Sequence, residues 1–380
     1  MPLFVPHNPT SLSDGMSVPT PTRAPISGRR AFVGAASFAS AAALARAGSA
    51  SARAARPKPR GQDADAKKSS RSGAGVDAEG PVTRVELRGR RLVAIGDLHG
   101  DFIAMVKSLE LAGVMDGNGK WCGGDTVVVQ VGDILDRGDS ELAIMRKLKV
   151  LGKQAKEQGG DVIVMNGNHE IMNVMGDFRY VTSGAFDECR RYVEKKKSKA
   201  KAASEAVVSV ETDDEEDEAL AGVRARQALF KPGGEMANWM AKQPTVLVVG
   251  GTVFAHAGID TTHVDYGFER INKEVSLWMQ GKTKLPPKQV LESDGVVWTR
   301  EYGGKDAGVQ YDAQSCRRLS SALEAADAKR LVIGHTPQTT GVNSGCKGSL
   351  WRVDVGSSRG IYGNAAQVIE IVGGKVRVLA

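Results

Sequence analysis

The chain has 380 residues, of which 41% are hydrophobic and 25% charged; this is the make-up of an ordinary globular protein and excludes collagen-like or mostly unfolded chains. No run approaches the roughly 18 uncharged apolar residues of a membrane-spanning helix. The net charge of +7 would suit a nucleic-acid binder, but the first 60 residues carry eight Lys or Arg against one acid, Asp14, and the rest is balanced. The basic character is that of a tail, so neither nucleic acid nor membrane is expected as a partner of the body.

Residues 1–55 are rich in Ser, Thr, Ala, Pro and Arg and nearly free of acids, the composition of organellar transit peptides. Within them Arg29-Arg30 precede a soft apolar stretch, Ala31 to Ala45, and small residues around Ala47–Ala52, as in a second, thylakoid-type signal. The expected address is the chloroplast, stroma or thylakoid lumen; bacterial periplasm is the alternative, less well matched because so many residues precede the arginine pair. Residues 56–85 read as a flexible linker, and residues 86–380 as one folded domain. The four cysteines, Cys122, Cys189, Cys316 and Cys346, show no C-x-x-C pairing and are expected to be free thiols.

Regular patterning starts with the β-rich run Arg91 to Ile95, which ends in Gly96-Asp97-Leu98-His99-Gly100. A helix is expected over Phe102–Leu111. The strand Thr126–Val131 then ends in Gly132-Asp133-Ile134-Leu135-Asp136-Arg137-Gly138, followed by a helix over Glu141–Gln158. A third strand, Asp161–Met165, ends in Asn166-Gly167-Asn168-His169-Glu170. Alternating strands and helices with near-continuous apolar strands predict an α/β fold with a parallel sheet covered on both faces. Charge blocks between residues 194 and 221, lysines and then acids, predict a mobile charged insertion. Two more strands repeat the pattern: Thr252–Ala255 runs into His256-Ala257-Gly258, and Arg330–Gly334 into His335. The closing strands, near Leu350–Val353, Gln367–Ile371 and Lys375–Leu379, are expected to be antiparallel and to complete a second sheet.

Ligands of open α/β sheets bind beyond the carboxyl ends of strands, and the polar residues collect there. A glycine precedes Asp97, Asp133 and Asn168 alike, which predicts sharp turns off the strands. Of six histidines, His7 lies in the tail and His263 has no partner signal, whereas His99, His169, His256 and His335 all sit at glycine-flanked strand ends. With Asp97, Asp133 and Asn168 they match two divalent cations held close together. Asp133, on the central strand, is the expected bridge; Asp97 and His99 would complete the first ion's ligands, and Asn168, His256 and His335 the second's. Two divalent ions against two carboxylates leave a net positive site that attracts phosphate and acidifies a water, so the chemistry expected is metal-assisted hydrolysis of a phosphate ester, with in-line attack by hydroxide. His169, next to a ligand, is the candidate general acid, Asp136 its partner and Arg137 a fork for phosphate oxygens.

In order and spacing these motifs resemble the calcineurin-like metallophosphoesterases. The D-R-G and G-N-H-E forms resemble the phosphoprotein phosphatase branch, and Asn168 to Tyr180 resembles the Shewanella-like protein phosphatases within it. The resemblance runs from about residue 90 to 375. It implies a four-layer αββα sandwich, a dinuclear Mn, Fe or Zn site on Asp97, His99, Asp133, Asn168, His256 and His335, and a phosphorylated protein as substrate (Ser/Thr or Tyr). It also implies His169 as general acid and a second phosphate-binding arginine after the His256 motif, for which Arg300 is the candidate. The loop Asp354 to Gly360 stands where eukaryotic phosphatases carry S-A-P-N-Y-C-G, with Ser358 in place of the tyrosine. A nucleotide or dinucleoside-polyphosphate hydrolase on the same fold is one alternative, against which Arg137 and Glu170 argue. The other is an inactive phosphoprotein-binding scaffold, which would have lost a ligand or the acid.

Overall fold

A computed structural model describes residues 80–203, 217–307 and 313–380. The proposed address, most of the linker, His7 and residues 211–216 of the acidic run lie outside the described residues.

In chain order the elements are β1 (Arg84–Val85), β2 (Leu92–Ile95), α1 (Phe102–Leu111), β3 (Val127–Gln130), α2 (Glu141–Glu157), β4 (Asp161–Val164), α3 (Asn168–Val174) and α4 (Ser183–Ala203). Then follow α5 (Glu218–Phe230), α6 (Glu235–Met240), β5 (Val246–Val249), β6 (Thr252–Ala255), α7 (Thr261–Tyr266), α8 (Phe268–Met279) and α9 (Ala313–Ala325). The chain closes with β7 (Arg330–Ile333), β8 (Asn343–Gly345), β9 (Leu350–Arg352), β10 (Val368–Val372) and β11 (Lys375–Leu379). They form two mixed sheets, one of order β11-β10-β2-β3-β4 and one of order β1-β5-β6-β7-β9-β8. β2, β3 and β4 are parallel, with Ala94 opposite Val129 and Val129 opposite Ile163.

Strand periodicity explains how the sheets stack. Side chains alternate between faces, and Leu92, Ala94, Val127, Val129 and Ile163 share one apolar cluster with Leu247, Phe254 and Val332 of the other sheet. The alternate residues Val93, Ile95, Val128 and Val164 pack with Met105, Leu109, Leu148 and Leu151 of the helices. With both faces buried, these strands need unbroken apolar runs, as predicted.

Two expectations are corrected. The closing strands do not complete a second sheet as an antiparallel set. β9 runs parallel to β7, with Leu331 opposite Leu350, and β10 joins the first sheet antiparallel to β2, with Ile369 opposite Ala94. The reason is that β2 would otherwise be an open edge, and Ile369 and Ile371 point into the same inter-sheet cluster as Leu92 and Ala94. The second correction concerns the cysteines: Cys122 and Cys189 are free, but Cys316 and Cys346 form a disulfide, Cα to Cα 5.2 Å. Sequence spacing carries no sign of it, because the fold and not the chain brings the start of α9 beside the turn before β9. The charged segment is flanked by helix on both sides. Residues 194–203 continue α4 and Glu218 opens α5, and the two helices pack so closely that a Cβ on Gly222 would lie 3.0 Å from the Phe186 carbonyl oxygen.

Candidate metal centre

Five strand ends converge. The predicted glycine turns take two forms: Gly132 has φ +101°, whereas Gly96 and Gly167 are needed for close approach. A Cβ on Gly96 would lie 2.8 Å from Asp354 Cα, and one on Gly167 2.8 Å from the Asp133 amide nitrogen. The left-handed backbone falls on the chemistry-bearing residues themselves. His99 (φ 41°), Asp133 (55°), Asp136 (69°), Arg137 (66°) and His335 (67°) all adopt it, a conformation costly for residues with a Cβ and held only where the surroundings enforce it.

Glu170 does much of the enforcing. Its buried carboxylate accepts the N–H groups of Asp133 (2.8 Å), Ile134 (2.9 Å), Leu135 (3.2 Å) and Gly167 (2.7 Å). Burial and the charge of Asp133 push its own pKa up to about 7. The sequence offered Glu170 only as a motif letter; a carboxylate three residues into a helix start is the signal that it can serve backbone donors.

At the centre His256 Nε2, His99 Nε2 and His169 Nε2 lie 3.2, 3.8 and 3.8 Å from Asp133 Oδ2. His256 Nε2 and His335 Nδ1 lie 2.9 and 2.8 Å from Asn168 Oδ1. Two buried groups could each hold a metal ion, His99–Asp133–His169 and Asp133–His256–His335, sharing Asp133. Asp133 therefore sits where a bridge would. Asp97 stands just outside both groups: Oδ2 accepts the His335 N–H at 3.0 Å, and Oδ1 is buried without a partner. Asp354 lies beside it with Oδ2 likewise unpartnered. Burial, then the charges of Asp354 and Asp133, raise Asp97 well above the usual carboxylate range; burial is also the main reason that Asp354 is pushed up to about 6.

The donor set fits a pair of cations. His99 Nδ1 lies 3.0 Å from the Leu135 carbonyl oxygen and His256 Nδ1 2.9 Å from that of Val131. These contacts take the Nδ1 protons and leave Nε2 as a lone pair. His335 is turned the other way, with Nε2 3.2 Å from the Trp298 carbonyl oxygen, so its Nδ1 is the free one. Burial, with the charges of His256 and Arg300, holds His335 well below the usual histidine range, and burial takes His99 down to about 4. His256 is the exception in charge, since burial opposes its protonated form but Asp133 more than reverses that and its pKa is raised. Imidazole nitrogens, an amide oxygen and partnerless carboxylate oxygens thus point at one another, which a cation satisfies and a hydrogen bond does not.

His169 differs from the other three. Its Nδ1 is held by a carboxylate, Asp136 Oδ2, at 2.5 Å. Burial opposes its charged form, but Asp133 and Asp136 more than reverse that, and its pKa is raised. The Arg137 guanidinium lies over the Tyr180 ring, 4.6 Å from the centroid, in a cleft lined also by Gly100, Asp101, Thr182, Ser358 and Arg359. Arg300 is exposed and donates from Nη1 to Thr336 Oγ1 at 3.1 Å, one residue past His335. Ser358 is buried and donates to the His99 carbonyl oxygen at 3.2 Å. All ten residues singled out by the sequence are thus brought to one region, Arg300 at its rim. Those missed are Glu170, Asp354, Glu141, Asn173 and Arg226, which serve the backbone or one another.

Residues 90–339 match the family of calcineurin-like phosphoesterases. Shewanella-like protein phosphatase 2 of Arabidopsis thaliana is 39% identical, over 76% of this chain and 76% of that one. The chain belongs to the calcineurin-like phosphoesterases and, within them, to the Shewanella-like protein phosphatases. Shewanella-like protein phosphatase 1 of Plasmodium berghei is 27% identical, over 70% of this chain and 67% of that one. Among solved structures, a cold-active protein-tyrosine phosphatase of a psychrophilic Shewanella superposes with a TM-score of 0.56 at 19% identity, over 79% of this chain and 82% of that one; at that identity the likeness is one of fold. As a Shewanella-like phosphatase the chain is a phosphoester hydrolase of the protein phosphatase kind, with two buried His/Asp groups consistent with a binuclear metal site.

Proposed function

We propose that this phosphatase hydrolyses phosphomonoesters on protein side chains, Ser/Thr or Tyr, at two cations of the Mn, Fe or Zn type. Asp97, His99 and Asp133 would hold one, and Asp133, Asn168, His256 and His335 the other. When bound, such a pair supplies the charge that polarises a phosphoryl group and acidifies a water. The observation that carries the reading is the convergence of His99, His256 and His335 on Asp133 Oδ2 and Asn168 Oδ1 with their outer ring nitrogens already committed.

The roles of the remaining residues follow from what backs them. Neutral carbonyls back His99, His256 and His335, which favours lone pairs; a carboxylate backs His169, which favours a proton on Nε2. His169 is accordingly the general acid: a water gives up one proton and bonds through oxygen to phosphorus, the ester bond breaks, the leaving oxygen takes the Nε2 proton, and solvent carrying the water's proton restores His169. Asp136 holds the ring. Arg137 and Arg300 would bind the phosphoryl oxygens. The four-layer description, a mobile segment between α4 and α5, and a plastid address in residues 1–55 belong to the same proposal, the last supported by composition alone.

The test is a substrate panel on purified protein of known metal content. Phosphopeptides carrying phosphoserine, phosphothreonine and phosphotyrosine are set beside a dinucleoside tetraphosphate. Hydrolysis of one phosphopeptide class, abolished by a chelator and restored by Mn²⁺, is expected. His169→Asn should keep its metal and lose turnover by on the order of a hundredfold or more. Preference for the dinucleotide, or full activity after chelation, would overturn the reading.

A further inference from the structure

Behind His169 lies a polar cluster sealed from solvent. Asp136, Glu141, Asn173 and Arg226 are each 0% exposed. Arg226 comes from α5, distant in sequence from every motif of the site, and a fully buried arginine is rare unless its charge is answered. Here it is answered in full. Nη1 donates to Glu141 Oε2 at 2.5 Å and Nη2 to Glu141 Oε1 at 3.1 Å, while Nε and Nη2 donate to Asn173 Oδ1 at 2.9 and 2.7 Å. Nη2 also lies 3.4 Å from Asp136 Oδ1. The guanidinium plane is packed against Phe230, with Phe178 and Phe186 further out at 4.7, 5.6 and 5.9 Å respectively.

Nη1 also reaches Cys189 Sγ at 3.9 Å; the oxygen-bearing partners of Arg226 act in turn on the His169–Asp136 pair. Glu141 Oε1 accepts the N–H of Asp136 at 2.5 Å, steadying a residue whose backbone is left-handed. Asn173 Nδ2 donates to Asp136 Oδ1 at 2.9 Å and to the His169 carbonyl oxygen at 2.9 Å. With Oδ1 so engaged, Oδ2 is the oxygen that faces His169 Nδ1. The guanidinium has five donors in a rigid fork, and this one uses them to hold Glu141 and Asn173 in the orientations that fix Asp136.

We infer that Arg226 is a positioning residue for the reaction: through Glu141, Asn173 and Asp136 it fixes the plane of the His169 ring so that Nε2 faces the ester oxygen that leaves. The inference rests on His169 being the general acid. It also makes the α4–α5 helix pair part of the catalytic apparatus, since α5 supplies the arginine and α4 supplies Phe186 beside it.

A residue that acts only through leaving-group protonation matters in proportion to how much the leaving group needs a proton. Arg226→Lys keeps the charge without the planar fork, and Arg226→Met keeps the volume without either. Both are assayed on aryl phosphates from phenyl to 2,4-dinitrophenyl phosphate, beside His169→Asn, with metal content and circular dichroism recorded. For Arg226→Met, kcat on phenyl phosphate should fall on the order of a hundredfold, with about threefold or less on the dinitrophenyl ester and unchanged metal content. Combined with Asp136→Asn it should add nothing, because both changes break one path. Arg226→Lys should show the same graded loss and serves alone if the methionine variant does not fold. An equal loss on every ester at equal metal content, or no loss, overturns the positioning role. If His169→Asn itself shows no dependence on the leaving group, the acid assignment has failed instead.

Discussion

A Cβ built on Gly167 would lie 2.8 Å from the Asp133 amide nitrogen and 2.9 Å from His256 Nδ1, closer than side chains approach either. The backbone there, φ −101°, suits any residue, so Gly167→Ala tests space alone. Neither neighbour can give: Glu170 pins the Asp133 amide, and the Val131 carbonyl pins the His256 ring. Cation affinity should fall about 10–100-fold, as when support behind a ligand is lost, and kcat on the order of a hundredfold. Titration of the stripped protein with Mn²⁺, read by activity and calorimetry, checks both. Gly176→Ala is the contrasting case. Its φ is +81° and nothing lies within 4 Å of the added carbon, so it should cost about 1 kcal/mol of stability and leave cation affinity alone.

Among the elements, α1 shows one side chain serving two segments. Asp101 Oδ1 accepts the N–H groups of Ile103 (3.0 Å) and Ala104 (3.1 Å), capping the helix, while Oδ2 accepts the Arg359 N–H (3.0 Å) and Nε–H (2.8 Å). Burial raises its pKa, but Arg359 and the helix amide of Ala104 more than reverse that, and the folded value is lowered. A carboxylate with a lowered folded pKa stabilises above its unfolded pKa, and the contribution fades as pH falls through the folded value. Asp101→Ala should therefore cost about 1 kcal/mol at pH 7; the gap to wild type in urea unfolding should narrow steadily below about pH 4. A gap unchanged at pH 2 would mean that Asp101 acts through packing. Elements such as α1, β2, β3 and β6 were legible to within a residue because both faces of each strand are apolar and a cap or glycine marks each end. Partnership was less legible. Nothing in Val368–Val372 says that it pairs with β2, where Ile369 meets Ala94 and Ile371 meets Leu92, since edge protection is a property of the assembled sheet. Asp97, Asp133, Asn168 and the four histidines were legible because strand ends aim their residues one way, whereas Arg226 was not, because its meaning depends on three partners drawn from other elements.

At the scale of the whole molecule, two sheets share one apolar interface and the candidate metal centre draws side chains from both: Asp97, His99, Asp133 and Asn168 follow strands of the first, His256 and His335 strands of the second. His335 also lies inside the only segment closed by a covalent bond among the described residues. The Cys316–Cys346 bridge spans a sequence separation of 30, from the start of α9, along β7 and past His335, to the turn before β9. A loop of that length loses chain entropy worth roughly 3–4 kcal/mol in the unfolded state when it is closed. Neither sulfur is among the atoms that approach Asp133 or Asn168, so the bridge should act on stability and not on chemistry. Cys316→Ser/Cys346→Ser should unfold at lower urea, by about 3 kcal/mol, and a thiol reductant should shift the wild type in the same direction while leaving the double variant unmoved. Well below its transition the variant should keep wild-type kcat and metal content. Were kcat to fall there while the fold persists, the cross-link would be holding His335 in register with the first sheet's ligands, and the strands alone would not suffice to bring the two halves of the centre together.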